Sequence, residues 1–406
     1  MKKAFCTIWL MGLSVIGLMA VNPEKKTIQV DGMEREYLIY IPENNHSVYD
    51  GIMVGLHGFN SSMDVFFNNY SITQIADSLN YIILAPQALP EQDLKVIEVA
   101  ELANIFGNTI TLDAVWGCGM RVIVSMQLLV EIKWIDEVLN QNVDDVAFIS
   151  RIIEQTRQTY KMNENVFLIG TSMGGFMAYQ YALQQPLKLS GIVSVAGSMG
   201  LSVKGMDNGM KVPVCDFHSV TDEVVPYLGT GEQSGMKVQL AQSKEDVLHY
   251  WTETNGAGEP VVENVNYYPS TNGITVEKIT YPDLTNEVIH YKMNGSSHSY
   301  FFHKESGDCM DYVEEIGKFI AAHTIRSNEI ENIAVPDVKI YPNPARDVLF
   351  LGCTEGNVSI YDYTGKRVMT TSFQSGHINI SSLKRGMYIV VIKANGQVYT
   401  SKLIKQ

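Results

Sequence analysis

The chain has 406 residues, 46% of them apolar and 18% charged, and a formal net charge of −14 at pH 7. This composition excludes a disordered chain, and the length calls for one large folded domain and one small one. The acidic balance argues against nucleic acid as a partner, because such binding rests on Lys and Arg neutralising phosphates.

Residues 1–20 place Lys2 and Lys3 ahead of an apolar run from Ala4 to Met19 and end on Ala20. That is the pattern of a signal peptide cleaved near Ala20, and it is set aside from the fold. The other long apolar stretch, Met120 to Val138, is interrupted by Arg121, Gln127, Glu131, Lys133 and Asp136. Such charges are costly in a bilayer, so no membrane span is expected in the mature chain. Export permits disulfides among Cys118, Cys215, Cys309 and Cys353, but their spacing selects no pairing and offers no close pair for zinc.

From Lys26, the runs Thr27–Val30 and Arg35–Ile41 flank Asp31-Gly32, a hairpin signal. Ile52–Leu56 then reads as a buried strand that runs into His57-Gly58-Phe59-Asn60, and a helix-like Thr73–Asn80 precedes the apolar strand Tyr81–Pro86. This alternation predicts an α/β protein whose mostly parallel sheet has helices on both faces. The segment from Ala88 to Asn142, with Trp116-Gly117-Cys118-Gly119 and a partly helical Val122–Leu139, is expected to form either a lid or pocket wall or a helical elaboration that only packs on the core. A helix from Val143 to Tyr160 follows, with Asp144 and Asp145 favourable at its start.

Next comes Val166-Phe167-Leu168-Ile169-Gly170-Thr171-Ser172-Met173-Gly174-Gly175, an apolar strand entering Gly-x-Ser-x-Gly and then a helix-like segment. This is the strand, sharp turn and helix of a nucleophile elbow, which presents Ser172 at the top of the sheet. Beyond it, Gly191–Ala196 and Val212–His218 read as strands, Asp246–Thr254 as a helix, Glu287–Met293 as a strand and Met310–His323 as a closing helix.

A serine hydroxyl needs an adjacent imidazole as base and a carboxylate to orient that base. On this type of sheet the three occur in the order Ser, Asp or Glu, His, and Ser172, Asp222 and His298 follow that order in loops just past strands. Asp216, His290 and His303 are the rivals, while His218 and His57 are expected to bond loop backbone. The oxyanion donors fall on the backbone N–H groups of Met173 and Phe59. His57, Trp116 and Tyr300 are placed at the substrate pocket, and no metal or organic cofactor is implied.

From Lys26 to His323 the chain resembles the secreted polyhydroxybutyrate depolymerase and feruloyl esterase group of α/β-hydrolases. The similarity lies in Asp31-Gly32 with Arg35-Glu36-Tyr37 and Ile41-Pro42, in Leu56-His57-Gly58, Pro86-Gln87-Ala88 and Val143–Val146, and in the Gly170–Gly175 elbow, His218–Pro226 and the loop carrying His298. The resemblance implies hydrolysis of carboxylic esters through an acyl-enzyme, with Ser172 as nucleophile, Asp222 as acid and His298 as base. A polyester, a feruloylated polysaccharide and an acetylated polysaccharide are the substrates it implies. Where that group often has tryptophan and proline after the histidine, this chain has Tyr300 and Phe301. A serine peptidase on the same sheet, a non-catalytic glycan-binding surface protein, and acyl transfer to an alcohol are the alternatives.

The composition turns polar at Ile325–Asn332, and short strands then recur around Val358–Tyr361, Lys366–Met369, Met387–Ile392 and Val398–Leu403. Turns at Thr364-Gly365 and Asn395-Gly396 separate them, which predicts a small β-sandwich. Tyr341-Pro342-Asn343-Pro344, Tyr361–Gly365, Leu383–Tyr388 and Lys402–Lys405 resemble the carboxyl-terminal sorting domain of type IX secretion. That resemblance implies a secretion-machinery partner and a secreted or cell-surface protein. The expected organisation is a signal peptide at 1–20, a catalytic domain at 21–325, a linker at 326–335 and a sorting domain at 336–406.

Overall fold

The structure, a computed structural model, describes residues 23–42, 48–69, 71–105, 111–127, 132–184, 186–203, 209–233, 236–298, 301–326, 340–362, 366–394 and 397–406. The leader at 1–20, the linker beyond Arg326, Tyr300 and the turns at Thr364-Gly365 and Asn395-Gly396 lie outside the described residues. The chain divides into two units, Met1–Arg326 and Ser327–Gln406.

Ten strands form the sheet of the first unit: β1 Glu24–Val30, β2 Met33–Tyr40, β3 Tyr49–Leu56, β4 Tyr81–Pro86, β5 Met162–Thr171, β6 Gly191–Val195, β7 Val214–Ser219, β8 Val261–Asn264, β9 Thr275–Tyr281 and β10 Val288–Asn294. They lie in the order β1-β2-β4-β3-β5-β6-β7-β10-β9-β8. The six from β4 to β10 are mutually parallel, and antiparallel pairs extend both edges. At the first edge, Asp31 and Gly32 both take positive φ, 51° and 79°, which closes the tight β1–β2 hairpin.

Period-two alternation divides the strand side chains between two cores. Val166 and Leu168 of β5 join a cluster with the helices Asp145–Thr159, Met173–Gln184 and Lys244–Asn255. Phe167 and Ile169 point the other way, into a cluster with the helices Ile72–Leu79 and Tyr312–His323. Strands apolar on both faces, each such side chain worth about 1.5–3 kcal/mol when buried, hold the sheet at the centre of the unit.

The 88–142 segment departs from its expected form. It holds a helix at Leu94–Ile105, and the partly helical Val122–Leu139 is instead an antiparallel hairpin pairing Arg121–Gln127 with Ile132–Val138. Val122, Ile123 and Val124 are β-branched and favour strand, whereas the three-residue spacing of Ile132, Ile135 and Val138 imitates a helix. Strands β8 and β9 were not foreseen either. All four residues of β8 are exposed, so it lacks the apolar face that marks a strand.

In the second unit, Arg367–Phe373, Gly356–Asp362, Gly386–Ala394 and Gln397–Lys405 form a four-stranded antiparallel sheet, and Val348–Phe350 pairs with His377–Asn379. Val358, Ile360, Val390, Ile392 and Leu403 of the larger sheet share one core with Leu349 and Ile378 of the smaller.

Candidate active site

The parallel register aligns the carboxyl ends of the central strands. Leu56 of β3 pairs with Gly170, Thr171 of β5 with Val195, Val195 of β6 with Phe217, and Ser219 of β7 with Met293. The loops that leave those ends carry the residues singled out from the sequence, as expected for a ligand site on an open α/β sheet.

Ser172 follows β5 directly and has φ 53°, in the left-handed region that non-glycine residues rarely occupy. Its N–H donates to the Val195 carbonyl at 2.8 Å, and its own carbonyl accepts the Gly175 N–H at 2.8 Å. The elbow glycines are required by contact. A Cβ at Gly170 would strike the backbone of Gly174, a Cβ at Gly174 would strike the Leu56 carbonyl, and one at Gly175 would come within 2.9 Å of the Gly197 Cα.

Beyond β7, the Asp222 carboxylate accepts the N–H groups of Val224 and Val225 at 2.9 and 2.8 Å. Beyond β10, the loop with His298 is tied to the acid loop where the Ser219 and Thr221 hydroxyls both donate to the Ser296 carbonyl at 2.7 Å. His298 Nδ1 lies 2.8 Å from Asp222 Oδ2, and its Nε2 lies 2.9 Å from Ser172 Oγ. An ionised carboxylate only accepts, so Nδ1 carries the proton and the Nε2 lone pair faces the serine hydroxyl. Burial pushes the Asp222 carboxyl upward, but the hydrogen bond from His298, with the Val225 N–H, holds it below its ordinary value. The acid is sealed at 0% side-chain exposure while the imidazole keeps 15%, so solvent and ligand reach the base and not the acid.

Met173 is the first residue of its helix, where backbone N–H groups lack intrahelical partners. The His57–Phe59 loop passes close by: a Cβ built on Gly58 would stand 3.5 Å from Ser172 Cβ and 4.0 Å from its Oγ. The two expected oxyanion donors therefore belong to backbone on either side of the serine.

The expected placement of His57 and Trp116 in the substrate pocket is corrected. Both have 0% exposure, so neither offers surface to a ligand. Their rings pack together with centroids 4.9 Å apart, and Trp116 Nε1 donates to the His57 carbonyl at 2.8 Å. Burial lowers the His57 pKa to about 4, against the opposing bond to Gly58.

The rivals sit elsewhere. Asp216 and His290 are buried within β7 and β10 and bond each other, and His303 Nδ1 lies 4.0 Å from Asp311. His218 meets the carbonyls of Gly197 and Val225 at 3.1 and 2.8 Å, and lies 3.5 Å from Asp222. A buried ion pair between Arg35 and Asp145, 2.6 Å apart, was not foreseen. Asp144 alone caps the helix, accepting the Ala147 N–H, and the only signal for Asp145 was a second acid beside it. Cys118, Cys215, Cys309 and Cys353 are free thiols, and no helix among the described residues is long and apolar enough to cross a membrane.

Residues 136–250 match the Phospholipase/Carboxylesterase family, and residues 339–406 match the Secretion system C-terminal sorting domain. No curated protein matches the chain. Similar solved structures include an acetyl xylan esterase from Aspergillus awamori, with 13% identity over 73% of this chain and 99% of that one and a TM-score of 0.46. Est1E from Butyrivibrio proteoclasticus shares 10% identity over 74% and 98% of the two chains, with a TM-score of 0.39. An acylaminoacyl peptidase from Pyrococcus horikoshii shares 14% over 75% of this chain and 42% of its own, with a TM-score of 0.42. The chain joins a mostly parallel sheet with helices on both faces, with its carboxylesterase match across the Ser172 strand and the Asp222 loop, to a sorting domain that directs it by type IX secretion to the cell surface or beyond.

Proposed function

We propose that the protein is a secreted serine hydrolase that cleaves carboxylic esters through an acyl-enzyme. The observation that carries this reading is the unbroken relay from Asp222 Oδ2 through His298 to Ser172 Oγ, at 2.8 and 2.9 Å, on a serine whose backbone is held at φ 53°. His298 Nε2 takes the hydroxyl proton as Oγ attacks the ester carbonyl carbon, and Asp222 stabilises the resulting imidazolium. The N–H groups of Met173 and Phe59 receive the charge that develops on the carbonyl oxygen. His298 then returns the proton to the departing alcohol, and water, activated by the same imidazole, releases the acid.

The finer reading, a polyhydroxybutyrate depolymerase or feruloyl esterase type, is supported by apolar side chains exposed on the loops beside the serine and the acid. Phe59 is 36%, Val224 54% and Leu228 63% exposed, which leaves apolar surface open on the loops that follow β3 and β7. Turnover of short p-nitrophenyl esters is expected to fall about a thousandfold or more in Ser172→Ala with the fold intact. Unchanged turnover would reject the reading. Hydroxybutyrate oligomers, methyl ferulate, acetylated xylan and a matched amide, compared side by side, assign the substrate class.

A further inference from the structure

We propose that His57 and Trp116 are positioning residues that aim the Phe59 N–H at the oxyanion, so that a neutral buried imidazole sets the geometry of a backbone donor. This rests on the esterase reading above and adds a role for residues that touch no substrate.

The His57 ring is held by hydrogen bonds at both of its nitrogens. Its Nε2 receives the Ala88 backbone N–H at 3.1 Å. A backbone N–H can only donate, so Nε2 carries a lone pair and the ring proton resides on Nδ1. Nδ1 then donates to the Gly58 carbonyl at 2.7 Å. Burial, which holds the His57 pKa well below that of free histidine, keeps this neutral tautomer in place across the physiological range.

The Gly58 carbonyl and the Phe59 N–H belong to one planar trans peptide unit, and they point in opposite directions. Pinning the oxygen therefore aims the hydrogen. The Ser61 N–H, 3.2 Å from the same oxygen, gives a second hold. Among the described residues the Phe59 N–H meets no acceptor, as a donor reserved for a ligand should.

The preceding peptide plane is fixed in the same way. Trp116 Nε1 donates to the His57 carbonyl at 2.8 Å. Trp116 is itself anchored through its neighbour, because the Gly117 N–H donates to Asp145 Oδ2 at 2.7 Å while Asp145 Oδ1 pairs with Arg35 at 2.6 Å. The Arg35 guanidinium lies 4.0 Å over the Phe148 ring, with 1% of its side chain exposed. Residues distant in sequence, from the β2 strand, the Trp116 loop and the helix after Asp144, thus converge on one turn beside the nucleophile. The donor's direction is built into the folded core before substrate arrives, which is what preorganised electrostatic stabilisation requires.

The test compares wild type with His57→Leu, His57→Asn and Trp116→Phe in hydrolysis of p-nitrophenyl acetate, and Ser172→Ala is run in parallel. Asparagine places an amide nitrogen near the Nδ1 position, where it still donates to the Gly58 carbonyl, and leucine removes that bond. In His57→Leu, kcat is expected to fall about a hundredfold with KM changed less than a few-fold, the signature of losing one oxyanion donor. Affinity for a boronic acid that mimics the tetrahedral intermediate should fall in parallel. His57→Asn should recover at least about tenfold of the lost kcat, and Trp116→Phe should lose roughly tenfold. If His57→Leu does not fold, the kcat-against-KM split in Trp116→Phe and its boronate affinity decide the matter. Equal kcat in all three variants and wild type, or losses shared evenly between kcat and KM with boronate affinity unchanged, would overturn the proposal. An inactive Ser172→Ala beside a fully active His57→Leu would sink this inference alone, whereas an active Ser172→Ala would remove the esterase reading beneath it.

Discussion

Two aspartate–histidine pairs lie on the neighbouring strands β7 and β10, and their fates differ. Asp216 and His290 are register partners inside the strands, with Nδ1 2.8 Å from Oδ2 and both side chains at 0% exposure. Asp222 and His298 lie in the loops beyond the same two strands, with the same 2.8 Å separation. What differs is the company kept by Nε2. In the closed pair it accepts the Tyr227 hydroxyl at 3.0 Å, while Asp216 also takes the Lys244 ammonium at 2.7 Å and the Tyr179 hydroxyl at 3.0 Å. In the open pair it faces a serine hydroxyl at a solvent-reached edge. An aspartate–histidine contact is thus a structural strut when every lone pair is occupied by the core. It can act as a base only where one nitrogen is left for a nucleophile.

The sharpest way to break that comparison is to neutralise each acid in turn. Asp222→Asn keeps the shape but supports the wrong imidazole tautomer, and kcat is expected to fall by about ten thousandfold with little change in unfolding midpoint. Asp216→Asn strands the buried Lys244 charge, so a stability loss of about 3–5 kcal/mol is expected in urea titrations, with kcat within a few-fold where the protein is folded. Were the two variants to exchange phenotypes, the division into strut and base would be wrong.

Acidification sharpens the same contrast. Burial lowers the pKa of His57 to about 4 and also depresses His290, below the ordinary histidine value of 6.5. The unfolded chain then takes up protons before the folded one. The stability these residues contribute is complete above about pH 6.5 and declines below it, for His57 by about 3 kcal/mol as pH falls toward 4. The Asp216 carboxyl, raised by burial but brought below its ordinary value by Lys244 and His290, adds stability that survives until the pH drops below about 3.8. Denaturant midpoints that stay flat between neutral pH and pH 4 would contradict this. The smallest expected effect is in Tyr227→Phe, which removes one hydrogen bond to His290 and should cost about 1 kcal/mol while leaving kcat unchanged.

The legible parts of the molecule are those whose signal is local. The apolar run before Gly170, the small residues around Ser172 and the Asp31-Gly32 turn each declare a backbone geometry in a few residues, and the strands and helices they predict stand where the periodicity put them. The Val122–Leu139 stretch misled because its apolar spacing suits a helix while its β-branched residues suit a strand, and neighbouring chain decided between them. Strand β8 carried no signal, since an exposed edge strand is held by backbone hydrogen bonds that any residue can make. His57 bonds loop backbone as expected, but its placement in the pocket, and that of Trp116, misled for a different reason. A polar or aromatic residue next to a site reads the same in sequence whether it faces the ligand or lies beneath the loop that does.

By itself the sequence determined the elbow, the chain order of Ser172, Asp222 and His298, the α/β layering and the tail that carries the export signal. Each of these depends on short-range geometry or on residue patterns within one segment. Only the tertiary structure decided that Asp216 and His290 close on each other within the core, that His57 and Trp116 are sealed beneath the Gly58 turn, and that Arg35 and Asp145 anchor the Trp116 loop. Those outcomes depend on register and burial between segments 28 or more residues apart, where a one-residue shift in strand pairing turns every side chain to the other face.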